Sequence, residues 1–190
     1  MYVLGIAGSP RKNGNSTALL EEALNGAKSN GAETKLIHAC DLDITHCNHC
    51  DICLKAGTCC LEDDMSMIID EIDKCDVLMI ASPIHFTNVS SQLKLLIDRA
   101  QPLWAKKYIQ KVPALSVKDR KAAFFSSAAM YSDKLFDGAI DTVKSFLLCM
   151  DIPLVSTLAI PNIEKAGEVK AYRIIMENSF DIGKKLTTIC

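Results

Sequence analysis

No apolar run in the chain approaches the ~20 residues of a membrane-spanning helix. Neither sign of charge dominates: 21 Lys+Arg face 23 Asp+Glu, for a formal net charge of -2. That balance gives no electrostatic footprint for nucleic acid or for an anionic membrane surface, and neither is expected as a partner. The opening MYVLGIAGSP has no basic segment and too short an apolar stretch for a secretory signal, so a cytoplasmic location is expected. Repeats, low-complexity tracts and Pro/Gly/Ser-rich linkers are missing, which predicts one domain over 1–190. No Ser/His/Asp set or paired carboxylates form a coherent catalytic pattern.

What the chain does have is cysteine, nine in 190 residues. The number is odd and nothing indicates an oxidising compartment, so metal or redox chemistry comes before disulfides as the explanation. Cys40, Cys75, Cys149 and Cys190 are scattered and read as buried or idle thiols. Cys47, Cys50, Cys53, Cys59 and Cys60 fall within one short segment, 47–60.

Around that segment, strand and helix patterns alternate from end to end. Strands are predicted at Tyr2–Ala7, Glu33–His38, Asp76–Ser82, Lys121–Ser127 and Ile152–Ile160. Helical spacing of apolar residues marks Ser16–Lys28, Met65–Lys74, Ser91–Gln101, Phe136–Met150 and Val169–Thr187, with Gly31 a stop for the first. Pro102–Asp119, with Lys106, Lys107, Lys111 and two prolines, reads as an exposed excursion. This order implies an α/β fold: a doubly wound, five-stranded parallel sheet with helices on both faces and a cysteine-rich loop after strand two. In such a sheet ligands lie beyond the carboxyl ends of the strands, where strand order reverses.

The loop after strand one, Gly8 to Thr17, runs straight into a helix. Free backbone N–H groups and the positive end of the helix dipole make it an anion site. Ser9, Arg11, Asn13, Asn15, Ser16 and Thr17 add donors. Neither the nucleotide-triphosphate motif nor the G-x-G-x-x-G fingerprint fits. A donor-rich loop suited to a phosphate monoester such as that of FMN remains. The plainer alternative is a polar turn before a capped helix, with Ser16 or Asn15 as N-cap.

The cysteines read C-x2-C-x2-C-x5-C over Cys47, Cys50, Cys53 and Cys59. Three thiols three residues apart can wrap one compact iron–sulfur cluster, although the x3 spacing and Pro of ferredoxin runs are missing. Structural zinc, held by three thiolates plus His46 or His49, competes, but zinc ligands usually come in two separated pairs.

The stretch GIAGSPRKNGNSTALL resembles the opening of the flavodoxin-like NAD(P)H-dependent FMN reductase superfamily. Ser82-Pro83-Ile84-His85-Phe86-Thr87-Asn88, with Gln92-Leu93-Lys94 and Ile97-Asp98-Arg99 after it, is similar to that family's loop after strand three. With the cysteine spacing added, the chain most resembles the iron–sulfur flavoproteins, over roughly its first hundred residues. The resemblance implies a flavodoxin-like FMN-binding domain, with Pro83, Ile84, His85, Phe86, Thr87 and Asn88 lining the flavin ring. His85 stands where the family usually has Tyr, and the loop after strand four, Ser127 to Tyr131, lacks the family's glycine-rich stretch. The resemblance further implies a [4Fe–4S] cluster on Cys47, Cys50, Cys53 and Cys59, because Glu62-Asp63-Asp64-Met65 then matches the family's acidic stretch; Cys60 is the reserve. No side chain is expected to act as a catalytic acid or base, and Asp98 and Arg99 read as a helix-surface pair.

The function so implied is an FMN-dependent oxidoreductase for electron transfer. It would draw electrons from a ferredoxin-like donor through the cluster to FMN and pass them to a small-molecule acceptor such as O2 or H2O2. A homodimer or homotetramer is expected. The alternative is an NAD(P)H-dependent FMN or quinone reductase whose cysteine loop is structural or zinc-bound.

Overall fold

The computed structural model of the protein describes residues 1–188, and Cys190 lies outside them. The strands are β1 (Tyr2–Ala7), β2 (Glu33–His38), β3 (Val77–Pro83), β4 (Lys121–Ser127) and β5 (Leu154–Ile160). The helices are α1 (Asn15–Ser29), α2 (Ile52–Ala56), α3 (Met65–Lys74), α4 (Ser91–Asp98), α5 (Gln101–Trp104), α6 (Asp137–Leu148) and α7 (Arg173–Leu186). All strand pairs are parallel, in the order β2-β1-β3-β4-β5. The order reverses between β1 and β3, which opens a crevice at their carboxyl ends.

β1, β3 and β4 are apolar almost throughout because both of their faces are covered. Val3, Val77, Met79 and Phe125 pack against Leu19, Leu20 and Ala23 of α1. Leu4, Ile6, Leu78, Ile80 and Phe124 face the other way, onto Ile68, Leu93, Leu96 and Val143. β2 and β5 are edges, and exposed residues such as Glu33, Lys35 and Val155 break their apolar pattern.

α1 and α7 meet with almost no space between them. A Cβ at Gly183 would lie 1.8 Å from the Ala23 carbonyl oxygen, and one at Gly26 would lie 2.0 Å from that of Phe180. Ser179 Oγ donates to the Leu19 carbonyl across the same seam, at 2.6 Å. These glycines let two backbones touch, which fixes α1 against α7.

Three expectations from sequence need correction. The helix over Ser91–Gln101 breaks after Asp98 and restarts as α5, which takes Pro102 within its first turn, where no N–H is needed. Pro102–Asp119 is not simply an exposed excursion: Pro102, Leu103 and Ala105 are buried, and Ala105–Gln110 continues as a π-helical turn. Gln110 Nε2 then donates to the Leu54 and Lys55 carbonyls, 3.2 Å each, bracing the cysteine segment. Finally, the helix expected from Val169 begins at Arg173, because Glu168–Ala171 is a 3-10 turn entered through Gly167 at φ +74°.

Among the described residues no helix is long and apolar enough to cross a membrane.

Candidate functional site

At the reversal point lies a cleft of about 730 Å³, within the usual range for a small-molecule site. Its lining comes from four loops at strand carboxyl ends: Ser9–Arg11 with Gly14–Ser16, Pro83–His85, Ser127–Ala129 and Ile163–Ala166. Of the residues singled out in the sequence, Ser9, Arg11, Asn15, Ser16, Pro83, Ile84 and His85 come together here. Asn13, Thr17, Phe86, Thr87 and Asn88 are not on its lining.

The end of the cleft at α1 is built by backbone geometry more than by side-chain charge. The N-cap of α1 is Gly14, not Asn15 or Ser16, and it has no side chain to cap with. The first bond onto the helix runs from Ala18 N–H to Gly14 O at 3.0 Å. The N–H groups of Asn15, Ser16 and Thr17 therefore have no acceptor within the helix. Ser16 Oγ and Thr17 Oγ1 are buried and unpartnered too. Buried donors left without partners are costly unless a ligand takes them, and they fit a phosphate.

Two of the predicted donors are already engaged. Ser9 Oγ donates to Arg11 O at 2.9 Å and accepts from Arg11 N–H at 3.0 Å, which shapes the loop. The Asn15 amide donates to Lys165 O (3.0 Å) and accepts from Val169 N–H (3.1 Å), tying α1 to the loop after β5. That loop was missed in the sequence; its only signal was its place at a strand carboxyl end.

Beside the cleft, His85 and Asn88 exchange backbone hydrogen bonds of 2.9 and 3.0 Å around Phe86 and Thr87. Both tip residues are left-handed, with φ 48° and 61°. Two-residue turns of this hand favour Asn-Gly, and a β-branched Thr there is strained. Phe86 is fully exposed. Asn88 Oδ1 accepts from Val89 N–H (2.7 Å) and from Thr142 Oγ1 (3.0 Å), anchoring the turn to α6.

The cysteine segment forms a second, separate cavity of about 260 Å³, and no residue lines both. Cys47, Cys50, Cys53, Cys59 and Cys60 all line it, with Arg99, Trp104 and Ile109. The chain coils around it through left-handed His49, Asp51 and Gly57. Burial first, then the charges of Cys59, Cys47 and Cys50, push the Cys53 thiol up. A backbone hydrogen bond at Ile52 first, then the Cys60 thiol, pull Cys50 down; the two sulfurs stand 3.5 Å apart. Among the described residues no three His, Cys, Asp or Glu side chains converge on one metal ion. The five thiols are spread around the cavity rather than gathered at one point, and thiolates are the donor set that iron–sulfur groups take.

Arg99 corrects the surface-pair expectation. Asp98 pairs with Lys94 one turn back, at 2.6 Å, whereas Arg99 is 1% exposed. Its Nη2 donates to Asp63 Oδ1 (3.1 Å) and toward Cys59 Sγ (3.5 Å), and Nη1 to Asp63 Oδ2 and the Thr45 carbonyl. The hydrogen bond from Arg99 is the main reason the Asp63 carboxyl lies below the usual carboxylate range. Local sequence holds no signal for a pair 36 positions apart.

A family profile described as NADPH-dependent FMN reductase matches residues 1–132. The chain belongs to that family. An iron–sulfur flavoprotein of Methanocaldococcus jannaschii is 42% identical over 103 residues, 54% of this chain and 53% of the relative. One of Methanosarcina thermophila is 33% identical over 111 residues, 58% of each. The chain thus spans about half the length of the curated relatives it matches. Among solved structures, a flavone reductase superposes with TM-score 0.73 over 98% of this chain and 62% of the other, at 20% identity. An NAD(P)H:quinone oxidoreductase from Methanothermobacter marburgensis gives 0.72 over 100% and 98%, at 16% identity. These last two establish the flavodoxin-like fold alone.

Proposed function

We propose that the chain is a single FMN-binding domain over 1–190 carrying a [4Fe–4S] cluster on segment 47–60, and that it works as an electron-transfer oxidoreductase. The observation that carries the reading is one chain with both a strand-end cleft lined by the unpartnered buried Ser16 hydroxyl at the amino end of α1 and a cavity ringed by cysteine sulfurs. When bound, FMN supplies one- and two-electron chemistry and the cluster one-electron chemistry.

The residues' own part is to bind and orient. The N–H groups of Asn15, Ser16 and Thr17 and the hydroxyls of Ser16 and Thr17 hold the phosphate, with Arg11 and the Asn13 amide at the rim. Pro83, Ile84 and His85 wall the ring, with Ser127–Ala129 opposite. Phe86, Thr87 and Asn88 form the turn that fixes that wall. Cys47, Cys50, Cys53 and Cys59 hold the cluster. None of these side chains is required as an acid or base.

The donor in this reading is ferredoxin-like and the acceptor a small molecule such as O2 or H2O2, in a cytoplasmic homodimer or homotetramer. The resemblance to iron–sulfur flavoproteins implies that assembly brings one subunit's cysteines toward another's cleft; the separation of the two cavities within one chain is compatible with that. The family description favours a second reading, an NAD(P)H-dependent FMN or quinone reductase with a structural or zinc-bound cysteine loop.

Iron, zinc and FMN per chain, measured after anaerobic purification, separate the two. About four irons with negligible zinc and one FMN support the first. About one zinc, with NADPH bleaching the flavin directly, selects the second.

A further inference from the structure

The four N–H bonds on the two Nη atoms of Arg99 are all directed. Two go to the Asp63 carboxylate, one to the Thr45 carbonyl and one toward Cys59 Sγ. Asp63 is itself fixed by N–H donations from Thr45 (3.0 Å) and Met65 (3.1 Å). Guanidinium, carboxylate, the 43–45 loop and the start of α3 therefore form one buried lock, and its free edge faces a single sulfur. A thiol is a weak acceptor, whereas a thiolate takes a charge-assisted bond, so the geometry is suited to Cys59 as an anion. The next residue differs. Cys60 is exposed, makes no hydrogen bond to Arg99 although both line the cavity, and stands beside Cys50.

We infer that Arg99 is the positioning residue of the cysteine pocket: it holds Cys59 inward as the fourth thiolate of the iron–sulfur group and leaves Cys60 outside the ligand set. The inference rests on the cluster reading proposed above. Hydrogen bonds to ligand sulfurs and nearby charge set both the affinity and the reduction potential of such groups. A cation at Cys59 favours the more negative, reduced state. Removing it lowers the potential.

Asp63 stays buried, so a single neutral substitution of Arg99 would strand a carboxylate. The test therefore uses Arg99→Gln combined with Asp63→Asn, together with Arg99→Lys, Cys59→Ser and Cys60→Ser. Each is purified anaerobically and read by circular dichroism, iron per chain, iron retention against a chelator, and a redox titration followed by electron paramagnetic resonance. The double variant is expected to keep the wild-type dichroism. Its iron retention falls 10–100-fold; because the paired charges leave together, retention and not potential is its deciding readout. Arg99→Lys lowers retention by less. Cys60→Ser keeps its iron and Cys59→Ser loses it.

A folded double variant with unchanged retention overturns the inference, as does the reverse outcome at the two cysteines. If the double variant does not fold, Arg99→Lys, which keeps the charge and loses the forked donor, decides: unchanged iron retention overturns the role and a fall upholds it. A wild-type protein that binds no iron under these conditions overturns the cluster reading and this inference with it, which distinguishes that failure from one confined to Arg99.

Discussion

Gly183→Ala tests whether the α1–α7 seam is as tight as the geometry makes it. Helix propensity alone favours the change, since Ala in a helix interior is better than Gly by about 1 kcal/mol. Packing opposes it. The new Cβ would sit 1.8 Å from the Ala23 carbonyl oxygen and 2.6 Å from its carbon. Both are backbone atoms, so no side chain can swing aside, and the helices must part by about 1.5 Å to restore ordinary contact. Overpacking of this kind costs about 1–3 kcal/mol, here toward the upper end. The Ser179–Leu19 hydrogen bond stretches as well, a further loss of about 1 kcal/mol. The balance is a destabilisation of about 2–3 kcal/mol, or roughly 4–12 °C in Tm for a domain of this size. Calorimetry of the FMN-free protein measures it, and a flavin-fluorescence titration adds a second reading, because the amino end of α1 lines the cleft proposed to bind FMN. A variant that melts at or above the wild type would show that propensity wins and that the two backbones do not touch as described.

Ser16→Ala should separate stability from binding. Deleting an unpartnered buried hydroxyl leaves the FMN-free protein as stable as wild type or more so, while FMN affinity drops about tenfold; weaker melting with unchanged affinity would contradict its place in the phosphate site. Thr87→Gly relieves a left-handed β-branched residue at φ 61°. It should raise stability by up to about 1 kcal/mol after the entropy of the new Gly is counted, and a lower Tm in urea or heat would refute the strain. Glu71 is held at a pKa of about 2, first by the Tyr2 hydroxyl at 2.5 Å and then by Lys74 and Lys35. A depressed carboxylate contributes stability that is fully present above its ordinary value of 4.5 and is lost as pH falls toward 2. Tyr2→Phe should therefore cost about 1 kcal/mol, after solvent screening, near pH 6 and progressively less toward pH 2, as followed by urea melts at several pH values. An equal loss at both ends would assign the effect to packing instead.

The sheet was legible because buried parallel strands leave continuous apolar runs. Tyr2–Ala7, Glu33–His38 and Lys121–Ser127 fall where the pattern put them, and β3 is displaced by one residue. The cysteine cavity was legible for a related reason: its five thiols are close in sequence, and all of them line it. The helix boundaries around Pro102 were not, since a proline in the first turn of a new helix looks in sequence like the end of an old one.

By itself the sequence determined the alternation of elements, the donor-rich loop before α1 and the concentration of thiols in one segment. These are local properties, set by periodicity, turn chemistry and spacing. Tertiary structure alone decided that Asn15 ties α1 to the loop after β5, that Phe86 and Thr87 cap a strained turn outside the cleft lining, and that Arg99 is buried against Asp63 and Cys59. Each joins residues distant in the chain or depends on which atoms remain unpaired after packing, and no periodicity records that.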